Sequence, residues 1–244
     1  MNKYWMLALF LAAAAGWYYQ HQNAPGPAST PQVQPSPHQE PRTVSLPEKP
    51  QLGVSSNWII RSTSRDTGIT AAGQIFTPPT EAPTLIRLGF QFHQYNRNGL
   101  QSDVRFQVIL AEWQVDHPSP VELWASEIRT LPRIAETYKY SWQDFDVPPI
   151  KLAADREYIA WVTLSDLGNP PDTAVGIPDM GPTYRTSPVT DPNATPIHNY
   201  ERGRSAFFRE ANPGGIRDHM TGYPWEVRDS GRNIAFRMLF AETP

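Results

Sequence analysis

The amino-acid sequence predicts an all-β fold, a two-sheet antiparallel sandwich of jelly-roll-like type, and three observations predict it. Apolar residues recur with period two along several short runs. Proline- and glycine-rich turn signals separate those runs. No segment carries the 3.6-residue periodicity of an amphipathic helix, so no helices alternate with the strands. About eight or more strands joined in this way are best buried as two stacked antiparallel sheets.

Thr84 to Tyr95 is the clearest strand: Ile86, Leu88, Phe90 and Phe92 take one face, and Arg87, Gly89, Gln91 and His93 the other. From Asp103 to Gln114, Val104, Phe106, Val108 and Leu110 point inward and Arg105 and Gln107 outward. Tyr138, Tyr140 and Trp142 share a face. Glu157 to Ser165 is apolar on both faces, as in a central strand. Asn233 to Ala241 alternates again, with Ile234, Phe236, Met238 and Phe240 inward. Shorter candidates are Gln74 to Thr77, Val121 to Ile128 and Ser205 to Arg209. Turns are expected at Pro78-Pro79, Asn98-Gly99, Pro148-Pro149, Asn169-Pro170-Pro171 and Pro213-Gly214-Gly215. Leu167 to Gly203 and Asn212 to Arg232 read as two long loops.

Three regions are expected. Residues 1–22 form a signal peptide or an N-terminal membrane anchor, 23–53 a proline-rich tether, and 54–244 the sandwich. Lys3 precedes an apolar run from Trp5 to Gly16, followed by Trp17, Tyr18 and Tyr19. Ala13 and Ala15 offer a small-residue cleavage pattern. A retained span usually needs about 17–25 apolar residues, and the aromatic triplet would then sit at the outer interface. Either reading puts the remainder outside the cytoplasm, periplasmic or on the cell surface, secreted or membrane-anchored. The tether carries too few large apolar side chains to offset its ordering entropy. At about 3.1 Å per residue it would hold the domain up to roughly 90 Å from the membrane.

Composition excludes several classes. The net charge of −3 is too mild for nucleic-acid binding. With no cysteine there is no disulfide framework, catalytic thiol or thiolate metal site. No G-x-S-x-G, H-E-x-x-H, phosphate-cradling loop or dinucleotide fingerprint occurs, so a non-enzymatic role is expected.

The order of motifs resembles a family of bacterial jelly-roll surface domains found beside varied anchoring signals, the choice-of-anchor type, mostly of unassigned function. The likeness rests on Gln74-Ile75-Phe76-Thr77-Pro78-Pro79, a strand from Phe106 to Trp113, and Leu123-Trp124-Ala125-Ser126. It continues through Leu152 to Ala160, Gly203 to Phe208, Trp225, and Ile234 to Phe240. It covers about Gly73 to Glu242 and implies a carbohydrate-binding-like sandwich, with no catalytic residues to carry over. The family's usual C-terminal anchor is not met before Pro244, and the N-terminal segment would replace it.

Candidate ligand contacts are aromatic, because sugars stack their apolar C–H faces on flat rings. Trp113 falls on the outward phase of its strand, and Tyr184, Tyr200, Tyr223 and Trp225 lie in the long loops. Against this stands the reading that they plug the core, as expected of Trp124, Trp142 and Trp161. Asp166, Asp172, Asp179 and Asp191 could join backbone carbonyls around a structural calcium, which needs about 6–8 oxygens. Their spacing matches no calcium loop, and no other cofactor is expected. Asp144 and Asp146 point to one face, a pattern that serves acid/base chemistry in glycosidases and also marks solvated strands. His93, His117, His198 and His219 show no metal spacing, and Asn193-Ala194-Thr195 fits a weak glycosylation signal. The expected function is a binding module for a glycan or cell-envelope component, on a membrane through its N-terminal segment. The alternative is an envelope assembly protein that binds other proteins through its loops.

Overall fold

The computed structural model describes residues 42–47, 57–62, 68–94, 103–132, 140–171, 173–180, 203–209, 217–228 and 233–242. All of them fall in the compact unit Pro41–Pro244. The chain is an all-β sandwich of two sheets packed against each other.

One sheet contains β1 (Thr43–Leu46), β14 (Phe236–Ala241), β4 (Thr84–Gln94) and β8 (Tyr140–Lys151), hydrogen-bonded in that order. β10 (Ala174–Met180) continues it at the end of β4 and pairs with β2 (Asn57–Arg61) and β13 (Asn233–Ile234). The other sheet runs β6 (Pro118–Ala125), β5 (Val104–Trp113), β9 (Tyr158–Thr163), β3 (Ile69–Phe76), β11 (Gly203–Arg209) and β12 (Glu226–Arg228). β7 (Arg129–Leu131) pairs with the start of β5. A single parallel bridge, Ile60 to Ile69, joins the sheets through β2 and β3.

The core lies between the layers because each strand turns its alternate residues inward. Phe92 of β4 meets Phe106 of β5 at 4.7 Å between ring centroids, and Phe76 of β3 meets Phe240 of β14 at 6.1 Å. Phe106 also meets Phe145 of β8 at 6.2 Å, edge to face. Leu88, Phe90, Val108, Leu110, Val162 and Met238 fill the same cluster. Polar side chains are buried with it, Gln74 among them. Gln74 is fully buried, donates to Asn233 Oδ1 at 2.6 Å and accepts from the Ile234 backbone N–H at 3.2 Å. It satisfies the short strand β13, which has few ladder bonds of its own.

Five sequence expectations need correction. The register shifts between Leu85 and Arg87, so Leu85, not Ile86, is buried with Leu88 and Phe90. A bulge of this kind inverts alternation locally. Pro148 and Pro149 lie inside β8 rather than in a turn. Among the described residues β8 pairs only with β4, and an edge strand tolerates a missing N–H. The expected loop from Leu167 contains β10, whose Val175 and Ile177 are buried. The expected loop from Asn212 contains a one-turn helix, α1 (Arg217–Met220), and β12. Finally, Thr43 to Leu46 of the expected tether is β1 of the sheet, with Leu46 in the core.

Candidate functional site

The outer face of the second sheet carries its own apolar cluster. Ala71 and Ile75 of β3, Ile159 and Trp161 of β9, Ile109, Ala111 and Trp113 of β5, and Ala206 and Phe208 of β11 form its floor. Gly73 sits opposite Trp161, where a Cβ would lie 2.6 Å from Trp161 Cβ and 2.7 Å from Ala160 O; only glycine fits there. The segment from α1 to β12 covers this face. Trp225 packs edge to face on Trp113 at 6.3 Å and on Trp161 at 6.0 Å, and tilted on Phe208 at 5.8 Å. Its backbone N–H donates to Asp116 O at 2.8 Å, and its indole N–H to Met220 O at 2.7 Å.

This arrangement brings together two of the predicted ligand contacts, Trp113 and Trp225, but not as exposed rings. Trp113 is 6 % exposed and Trp225 5 %, so neither presents a face to a ligand. The outward phase predicted for Trp113 is right and its exposure is not. Alternation tells which face a side chain takes, not what covers that face. Tyr223 differs: it is 56 % exposed and lies edge to face with His219, at 5.2 Å. The turn is closed by the Gly222 and Tyr223 N–H groups donating to His219 O. Tyr184, Tyr200, Asp172, Asp191, Asn193, His198, residues 1–41 and the side chains of His93 and Asp179 lie outside the described residues.

Asp166 is exposed, at φ 60°, in the turn after β9. That turn is fixed to β5 by the Asn169 amide, which accepts from Arg105 N at 2.8 Å and donates to Arg105 O at 2.7 Å. Among the described residues no group of three or more His, Cys, Asp or Glu side chains could hold a metal ion.

The outer face of the first sheet is polar. Asp144 and Asp146 do share it, as the sequence predicts, and each is held by an arginine. Arg237 of β14 donates two hydrogen bonds to Asp144, that from Nε at 2.6 Å, and its guanidinium lies 4.4 Å from the Trp142 ring. Arg87 Nε donates to Asp146 Oδ1 at 2.9 Å. Trp142, expected in the core, is half-buried under Arg237.

A third constellation was not legible in the sequence. It lies where β11 and β12 of one sheet face β2 of the other. Trp58 stacks on Phe207 at 4.8 Å and 30°. The Arg209 and Arg228 guanidiniums lie 4.9 and 5.4 Å from the Phe207 ring centre, and Arg228 lies 5.8 Å from Trp58. Arg209 Nε is 2.9 Å from Glu226 Oε1. Two-residue spacing within Phe207-Phe208-Arg209 and Glu226-Val227-Arg228 gives the shared faces. Only the pairing of β11 with β12 and the return of β2 join them.

No family model matches the chain, and no curated protein or solved structure matches it. The protein class therefore rests on the fold, an all-β two-sheet sandwich.

Proposed function

We propose that the chain is an extracytoplasmic, non-enzymatic binding module whose ligand is a glycan or another cell-envelope component. The observation that carries this reading is Tyr223, an exposed ring on a loop whose next aromatic, Trp225, is buried among Trp113, Trp161 and Phe208. An anchored loop presents a flat ring with little entropy left to lose on binding, which favours stacking of a sugar face. The N-terminal apolar run and the proline-rich stretch after it support a place outside the cytoplasm, held to or released from a membrane. No described helix is long and apolar enough to cross a membrane, and residues 1–41 are outside that statement.

The test is a polysaccharide and peptidoglycan panel with the full chain and Tyr223→Ala. The reading expects at least one ligand for the full chain, lost in the variant with an unchanged melting temperature. Absence of binding across the panel, or binding indifferent to Tyr223, removes it.

A second reading, an assembly protein that binds other proteins, is favoured by one feature. Val121 and Leu123 on β6 are 66 and 40 % exposed. Apolar side chains gathered on a strand at the sheet margin are characteristic of protein contacts.

A further inference from the structure

The Trp58–Phe207 stack bears two guanidiniums and one carboxylate. Glu226 pairs with Arg209, and among the described residues no carboxylate pairs with Arg228. Arg228 is exposed, yet it is not loose: its guanidinium lies within 6 Å of both rings, at 5.4 and 5.8 Å. The rings therefore orient a planar, always-charged donor fork whose hydrogen-bonding edge is left for a ligand. Arg209 places a second guanidinium over the same Phe207 ring. Trp58 is half-buried and offers an apolar surface beside these donors.

We infer that Trp58, Phe207, Arg209 and Arg228 form an anion-recognising subsite, and that its ligand is an acidic polysaccharide. A carboxylate or sulfate on the saccharide would take the Arg228 fork, assisted by Arg209, while the sugar ring rests against Trp58. The geometry favours a bidentate oxyanion over a neutral hydroxyl, because guanidinium edges match two-oxygen groups. This inference rests on the glycan reading above but uses none of the residues that carry it. Tyr223 belongs to the turn before Trp225, whereas Glu226 and Arg228 follow it, facing Phe207 and Ser205 across the β11–β12 ladder.

The experiment is affinity electrophoresis of the full chain in gels containing polygalacturonate, dextran sulfate or neutral dextran, with Arg228→Gln and Arg228→Lys beside it. Retardation by a polyanion and not by dextran is expected, and the two polyanions distinguish carboxylate from sulfate ester. Arg228→Gln should weaken it about tenfold, the loss of one charge-assisted contact at a half-exposed site. Arg228→Lys should recover only part, since lysine keeps the charge and loses the fork. Added salt should weaken retardation, as it screens exposed charges over a Debye length of about 10 Å at 0.1 M. Arg228 is exposed, and a melting temperature measured for each variant separates lost binding from lost fold. Equal retardation on dextran, or none of it lost in Arg228→Gln, overturns the anionic subsite and leaves Tyr223-dependent binding standing. Binding to a panel glycan with no retardation by either polyanion does the same. Failure of every glycan removes both readings.

Discussion

Arg237 and Asp144 clasp each other across a strand that belongs to neither. They sit on β14 and β8, which flank β4 at this point, and both are opposite Gly89. A Cβ at Gly89 would fall 2.3 Å from Asp144 Oδ1 and 3.3 Å from Arg237 Cγ. The ion pair occupies the volume that a side chain at position 89 would take. Half-exposed pairs of this kind are worth about 0.2–1 kcal/mol, and overpacking adds about 1–3 kcal/mol. Gly89→Ala should therefore lower stability by about 1–3 kcal/mol in urea denaturation. In an Asp144→Ala background the same change should cost markedly less. Equal costs in both backgrounds would show that the Gln143 carbonyl, 3.1 Å from that Cβ, is the real obstacle.

Gln74 gives a second expectation. Its side chain is the acceptor for the buried Ile234 N–H and the donor to Asn233 Oδ1. Leucine would fill most of the volume and leave that N–H without its acceptor. An abandoned buried donor costs about 1–3 kcal/mol, so Gln74→Leu should destabilise by that amount despite adding an apolar group to an apolar core. Hydrogen exchange should place the loss at Ile234 first. A Gln74→Leu protein as stable as the parent would mean that water or a neighbour takes over the bond.

The periodicity that predicts the fold is strong in β4, β5, β9 and β14, where inward residues are nearly all large and apolar. It failed where the strand was short of contrast. β10 reads AVGIPDM, and Gly176 and Pro178 hide the pattern of its two core residues, Val175 and Ile177. β1 sits among prolines, and its single core residue, Leu46, makes no pattern. The aromatic residues are legible in the sequence, and their surroundings are not. Trp113 and Trp225 meet only because a loop folds over the outer face of a sheet, and Trp58 reaches Phe207 only across the sandwich. Such contacts depend on topology, which spacing along the chain does not encode.

Trp225 and Tyr223, two residues apart, should behave oppositely. Trp225 is buried against Trp113, Trp161 and Phe208. Trp225→Ala should cost about 3–5 kcal/mol, as a large aromatic is removed from a packed site. Tyr223→Ala should stay within about 0.5 kcal/mol, because the ring is exposed. A Trp225→Ala protein with unchanged stability and abolished ligand binding would return Trp225 to the ligand-contact role that its sequence position invites.

The apolar margin of the second sheet separates the two functional readings. Its strand β6 is poorly suited to accept another strand. Pro118 and Pro120 lack N–H groups, the register shifts twice against β5, and the Val121 N–H is taken by Ser119 Oγ at 3.2 Å. Any partner there must use the side chains of Val121 and Leu123 rather than the strand backbone. Leu123→Lys and Val121→Lys should each change stability by less than about 0.5 kcal/mol, since both side chains already face solvent. If the protein assembles with an envelope partner through this margin, cross-linked stoichiometric complexes should disappear in both variants while Tyr223→Ala leaves them intact. Complexes that survive both lysines put the contact elsewhere, and glycan binding that survives them is what the leading reading requires.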